Sequence, residues 1–215
     1  LALFGTAIAF VLALLMVFLR IQEPDKRNND FVKIIKIVAN KFARFYIFVI
    51  RGTPMMVQSL IFYYAIFNLF KRTGMSVTEI NRVWSLFISG LVTVSLNSTA
   101  YLAEVLRGGI LAVDAGQMEA ARSLGMTHWQ AMRRVVFPQA IKNSLPAIGN
   151  EFIINIKDSS VLCVLGVSDL MFMTRSVAGI YYKGTECYLI AATVYLFLTY
   201  LSSLLLKAIT GRMTA

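Results

Sequence analysis

Cys187–Leu206 reads CYLIAATVYLFLTYLSSLLL and runs for 20 residues without a charge. A helix needs about 20 apolar residues to cross the hydrocarbon of a bilayer. The stretch therefore reads as a membrane-spanning helix on length and composition alone. The whole chain agrees with lipid as its solvent. Of its 215 residues, 58% are hydrophobic and only 15% are charged, where an ordinary soluble domain carries about 25% charged residues.

Working back from Cys187, Val167–Glu186 reads as a loop or surface helix. A fourth span covers Leu145–Gly166, although it contains charges, and a long polar loop precedes it from Arg107 to about Lys142. Val83–Ala103 is a third span, and Lys71–Arg82 a polar loop. Thr53–Phe70 is a second span, entered through Arg51-Gly52-Thr53-Pro54. Leu1–Leu19 is uncharged and nearly long enough to cross; it lacks the basic start and small-residue cleavage site of a signal peptide. Its Gly5, Ala9 and Ala13 recur every four residues, which puts small side chains on one face for close helix packing. A polar stretch, Gln22–Asp30, leads into Phe31, Ile34, Ile35, Val38 and Phe42 at helical spacing, with Lys33, Lys36, Lys41 and Arg44 mostly between them. That pattern predicts a basic amphipathic helix at the membrane surface, with Asp30 as its N-cap. The fold class is thus all-α: a polytopic integral membrane protein of about five transmembrane helices, one domain over residues 1–215. The chain opens at Leu1 rather than Met, so a trimmed N-terminus is expected.

The net charge of +10 does not imply nucleic acid, because the basic residues sit in loops between apolar runs and no aromatic-and-basic motif accompanies them. Their distribution sets orientation. Arg20–Arg51 holds eight Lys or Arg, Arg107–Lys142 five, and the C-terminal segment two, Lys207 and Arg212, fifteen on one side. The other side has five: Lys71, Arg72, Arg82, Arg175 and Lys183. The positive-inside rule then puts the N-terminus outside and the C-terminus in the cytoplasm. One histidine and the well-separated Cys163 and Cys187 supply no metal site and demand no disulfide.

The long loop contains Asp114–Ala140, DAGQMEAARSLGMTHWQAMRRVVFPQA. Gln117–Leu124 is rich in helix formers, and Gly125 is placed to end that helix. Thr127-His128-Trp129-Gln130 has the form of a capping box and starts a second helix, which Pro138 ends or follows with a new turn. A helical hairpin of this kind suits docking in a partner's groove; the alternative is a local lid.

The segment resembles the EAA loop of ABC importer permeases. Glu119, Ala120, Ala121, Gly125, Val135 and Phe137-Pro138 keep that loop's spacing, with Val135 and Phe137 replacing Ile and Leu by similar apolar residues. Arg51–Pro54, Asn97–Gly109 (NSTAYLAEVLRGG), Gly149-Asn150 with Phe152, and Lys157–Ser160 are similar to the polar amino-acid branch, Val161 standing where Leu is usual. The resemblance implies a cytoplasmic coupling helix that docks on an ATP-binding subunit through Glu119, Ala120, Ala121 and Gly125. It also implies two such ATPase subunits, a second permease chain (identical or related), an external substrate-binding protein, and a bacterial cytoplasmic (inner) membrane. The chain has no G-x-x-x-x-G-K-[ST] cradle, so ATP and Mg belong to the partner, no cofactor is expected here, and the chain is no enzyme itself.

Charged and polar groups within spans are costly and usually face a cavity or one another. Asn97, Tyr101 and Glu104 are spaced i, i+4, i+7 on the third span, and Glu151, Asn155 and Asp158 repeat that spacing on the fourth. Two such faces suggest a shared wet site, with Ser98 and Ser160 adding hydroxyls; pairing among themselves or with Arg107 and Lys157 is the alternative. Acidic groups in such a site would favour an ammonium or a basic side chain, such as arginine, lysine or histidine. Two further readings are a cation channel or secondary transporter, which has no use for the EAA-like loop, and an intramembrane enzyme. The latter lacks a metal cluster, and Ser159-Ser160 has no nearby His to make a triad.

Overall fold

The computed structural model describes the backbone of residues 1–21 and 29–214 and the side chains of 1–21 and 29–211. The expected polar stretch, apart from its last two residues, falls on residues 22–28, outside the described residues, as does the side chain of Arg212. All regular structure among the described residues is helical. Helix α1 spans Ala2–Ile21, α2 Asp30–Gly52, α3 Met55–Arg72, α4 Val77–Val83 and α5 Leu86–Leu111. Helix α6 spans Ala115–Ser123 and α7 His128–Ala131; a π turn, Met132–Val136, leads into α8, Phe137–Asp158. A 3-10 turn, Ser159–Val164, precedes α9, Leu170–Tyr181, and α10, Gly184–Thr214.

Among the described residues α1, α5 and α10 are each long and apolar enough to cross a membrane, and α2 and α3 pass the same test only when taken together, as a pair bent by 113°. Helix α8 packs against α1, α5 and α10. It takes its place in the bundle despite its polar residues because Glu151 and Asn155 point inward. Helix α5 is the centre, in contact with α1, α2, α3 and α8. The small-residue face of α1 performs as expected. Ala9 and Ala13 are fully buried, and a Cβ on Gly5 would stand only 2.7 Å from Val94 Cγ1. A Cβ on Gly109 would likewise fall on Ser144 Oγ, so α5 and α8 also cross in close contact.

Several boundaries differ from the sequence reading. The N-cap of α2 is Asn29; Asp30 is already helical and pairs with Lys33 Nζ at 2.9 Å. The polar stretch from Lys71 to Arg82 is not all loop. Ser76 and Glu79 form a capping box, the Ser76 amide donating to Glu79 Oε2 at 2.8 Å, and α4 follows. Those hydrogen bonds hold the exposed Glu79 carboxyl below its ordinary pKa. Pro138 ends nothing: it sits in the first turn of α8, directly after the π turn. A proline ring clashes with the carbonyl four residues back, and the wider π turn gives that carbonyl room. The fourth span is shifted as well. Helix α8 stops at Asp158, and the rest of the expected segment is the 3-10 turn, closed by Gly166 at φ +92°.

Replacing Ala9 by Leu should separate α1 from α5 and cost about 1–3 kcal/mol of stability by overpacking. Val11→Leu, on the exposed side of the same helix, should change stability by less than about 0.5 kcal/mol. Thermal unfolding of both variants in detergent, followed by tryptophan fluorescence, checks the difference.

Candidate functional site: a helical hairpin, an ionic cluster and a polar knot

Helix α6 begins at Asp114, whose side chain accepts from the Gly116 amide at 2.7 Å. It ends at Gly125, which takes φ +82°, a backbone conformation favourable only for glycine. The Gly125 and Met126 amides return to the Arg122 and Ala121 carbonyls at 3.0 and 3.2 Å, closing the helix end. The capping box read from the sequence is present, with Gln130 N donating to Thr127 Oγ1 at 3.2 Å and Thr127 N to Gln130 Oε1 at 2.8 Å. Glu119, Ala120 and Gly125 are exposed, whereas Ala121 is buried against the rest of the loop. Gln139 Nε2 donates to Gln117 Oε1 at 3.2 Å and braces α6 against α8. Leu124 at the tip is 81% exposed. The sequence reading did not single it out as a docking residue, because alone it is one more leucine. Its place beside a helix-ending glycine was the available signal. Trp129 is half-exposed, with its ring edge-on to Phe18 at 5.9 Å.

The first row of span residues faces α1, α2 and α3. Glu104 forms an ion pair with Arg20 at the end of α1, and its other oxygen accepts from Arg107 Nε at 2.9 Å. Asn40 Nδ2 of α2 caps the Arg20 carbonyl at 2.6 Å. Tyr101 lies under the Arg51 guanidinium, 5.3 Å from its ring centre. Asn97 Nδ2 donates to Gln58 Oε1 at 2.9 Å. Gln58 is a residue the sequence reading passed over. It is 4% exposed, and its Nε2 donates to the Ile50 carbonyl at 2.7 Å and the Thr53 carbonyl at 2.9 Å. It therefore clasps the elbow between α2 and α3, where Thr53 is extended as the residue before Pro54. Beside this cluster an open depression of about 460 Å³ is lined by Arg20, Arg44, Ile47, Phe48, Arg51, Gly52 and Glu104.

The second row faces elsewhere. Asn155 donates to Ser98 Oγ at 2.7 Å and to Thr6 Oγ1 at 2.9 Å, and Ser98 donates back to Asn155 Oδ1 at 3.0 Å. This knot is fully buried and joins α1, α5 and α8. Glu151, one turn earlier, is 8% exposed. Asp158 and Lys157 are exposed at the end of α8 without an ion pair between them, and Ser160 is half-buried in the 3-10 turn. Within one chain the two faces thus meet where Ser98 contacts Asn155 and Glu151. Tyr101 and Glu104 turn towards the elbow, away from Asp158. Among the described residues there is no cluster able to hold a metal ion.

The chain matches the family described as "Binding-protein-dependent transport system inner membrane component" over residues 35–215. It is 34% identical over 176 residues to the glutamine transport system permease protein GlnP of Escherichia coli (strain K12), covering 82% of this chain and 76% of that protein. It is 38% identical over 168 residues to the probable amino-acid permease protein YxeN of Bacillus subtilis (strain 168), covering 78% and 71%. A crystal structure of an amino acid ABC transporter with histidines superposes with a TM-score of 0.79 at 39% identity, over 98% of this chain and 88% of that one. The MetNI methionine ABC transporter in an inward-facing conformation shares the fold, at 18% identity and a TM-score of 0.73 over 98% and 90%.

The Arg20 and Glu104 side chains are 20% and 19% exposed, so their pair is screened less than a surface one. A double-mutant cycle of Arg20→Gln and Glu104→Gln should give a coupling of about 1–2 kcal/mol in thermal unfolding, between the values of exposed and fully buried pairs. Lys157→Gln with Asp158→Asn, at exposed side chains without an ion pair, should give a coupling of less than about 0.5 kcal/mol.

Proposed function

This chain belongs to the binding-protein-dependent transport system inner membrane components, and from that premise we propose that it is the permease of an importer for polar amino acids. The observation that carries the reading is the hairpin of α6 and α7: a short capped helix with an exposed face and tip, ended by a glycine at positive φ. A membrane protein that moves its cargo by itself has no use for such a projection. An importer driven by another subunit needs one.

In this reading two ATP-binding subunits hold ATP and Mg and close on them. Each α6 sits in a groove of one ATPase, with Glu119, Ala120 and Leu124 at the contact, and is carried along. The spans then rock between inward-open and outward-open states, a rigid-body change biased by a ligand bound elsewhere. A second permease chain, identical or related, completes the path, and an external binding protein delivers the amino acid. The positive-inside count supports a cytoplasmic C-terminus and hairpin, with the N-terminus outside.

The cargo class rests on relatives whose names specify glutamine or amino acids. The narrower expectation of a basic side chain draws unequal support from the acidic groups. Glu104 is already held by Arg20 and Arg107, so a cationic cargo would have to displace a guanidinium there. Asp158 is different: it is exposed within the single chain at the end of a spanning helix. A charge so placed calls for water or a polar partner, which a path shared with the second permease would provide. We therefore assign Asp158, with Ser160 and Glu151 behind it, as the cargo-facing group. Asn97, Ser98, Tyr101, Glu104 and Asn155 hold the helices that frame the path.

The test is uptake by proteoliposomes containing this chain, its ATPase subunit and its binding protein, offered labelled glutamine, arginine, lysine, histidine and glutamate with and without ATP. ATP-dependent uptake of polar amino acids is expected. Uptake driven by an ion gradient without ATP would overturn the reading. Gly125→Asp, which forces a side chain onto φ +82°, should lower ATP-dependent uptake by roughly tenfold or more, since strain there is on the order of 1–2 kcal/mol and distorts the docking tip. Loading of the binding protein should be unaffected.

A further inference from the structure

Helix α2 has two faces that no other described part of the chain covers. Phe31, Ile35, Val38, Phe42 and Phe45 form an exposed apolar stripe along one side. On the far side Lys33, Arg44 and Arg51 are spaced by 11 and 7 residues. Both intervals are close to whole numbers of helical turns, so the three cations share one narrow stripe. Between the two stripes, Ala43, Ile47 and Ile50 are buried and anchor the helix on α1 and α5.

The basic stripe borders the depression of about 460 Å³ beside the end of α1. Three guanidiniums line it: Arg20, Arg44 and Arg51. Its one carboxylate, Glu104, is already engaged by Arg20 and Arg107. Arg44 has no carboxylate within ion-pair distance among the described residues. The Arg51 Cζ lies over the Tyr101 ring at 5.3 Å, and no carboxylate lies within ion-pair distance of Arg51 among the described residues. Two guanidinium edges are thus available to one anion. Phe48 stands at the mouth with 76% of its surface exposed.

We propose that this depression binds the phosphate of an anionic lipid headgroup, with the apolar stripe of α2 lying among the acyl chains. The guanidinium fork matches phosphate oxygens in spacing and number. An amphipathic helix with a basic face lies in the headgroup layer, and the depression lies beside Glu104, in the half of α5 nearer α6. A soluble anion would gain nothing from the exposed Phe48 ring at the mouth, which the acyl chain of a bound lipid would cover. On the orientation argued under the proposed function the leaflet is the cytoplasmic one; the binding itself does not depend on that reading or on transport.

The experiment is native mass spectrometry of the intact permease–ATPase complex, titrated with phosphatidylglycerol or phosphatidylcholine. Phosphatidylglycerol should be retained preferentially. R44Q/R51Q should lower that preference by roughly tenfold, given the usual strength of basic side chains near an anionic leaflet. K71Q/R72Q, the same charge change at the other end of α3, should leave it unchanged. If R44Q/R51Q does not assemble, R44Q alone, at an exposed side chain without a partner, should still lower the preference roughly threefold. Wild-type preference in the R44Q variants would overturn the proposal. So would displacement of bound phosphatidylglycerol by an excess of inorganic phosphate, which would assign the site to a soluble anion instead.

Discussion

In hydrocarbon, one helix gains little by hiding leucine from a solvent that is equally apolar, so helices hold together by close contact and by hydrogen bonds. The contact of α1 with α5 meets that condition, and much of the remaining architecture depends on it. Gly5, Ala9 and Ala13 let the two backbones approach, and the buried Thr99 hydroxyl reaches the Ala9 carbonyl at 3.5 Å. With α1 seated, Thr6 is in place to receive Asn155 and so to fix α8. The far end of α1 then brings Arg20 to Glu104. A helix so fixed at both ends also gives α2 its support, through Asn40 on the Arg20 carbonyl.

Much of this was legible in the sequence because membranes leave a strong mark on composition. Uncharged runs of spanning length located α1, α3, α5 and α10, and the four-residue recurrence of small residues located the packing face of α1. The misreadings share a cause. The local chemistry of Pro138 marks either a helix end or a new turn, but the preceding π turn, which no single residue announces, carries the helix through. Helix α8 is harder to see than the other spans because its polar residues are matched from neighbouring helices. The capping box at Ser76 and Glu79 was visible in the spacing and was hidden only by the polar company it keeps.

The site was legible in unequal parts. The hairpin of α6 and α7 is a local object, made by caps, a glycine and a short helix, and each of these has a sequence signature. The span residues form a collective object. Spacing placed Asn97, Tyr101 and Glu104 on one face, but it could not show that this face meets the α2–α3 elbow. Nor could it show that Gln58, an amide in an otherwise apolar run, is the clasp of that elbow. Partners distant in sequence decide such matters: Arg20 lies 84 residues from Glu104, and Thr6 lies 149 from Asn155.

The run from the Thr127 cap through the π turn to Asp158 has a mechanical consequence. It is one nearly unbroken helix whose first turns belong to the hairpin and whose last turn carries the exposed Asp158. Helix α8 alone, at 22 residues, is about 33 Å long. Treated as a stiff rod pivoting near the π turn, it converts a tilt of about 10° at the hairpin into a sweep of about 6 Å at Asp158. The pivot lies where backbone hydrogen bonding is already irregular and one amide is missing at Pro138, so bending there breaks the fewest bonds. Any tilt imposed on the hairpin would therefore be magnified along α8 in proportion to its length beyond the π turn.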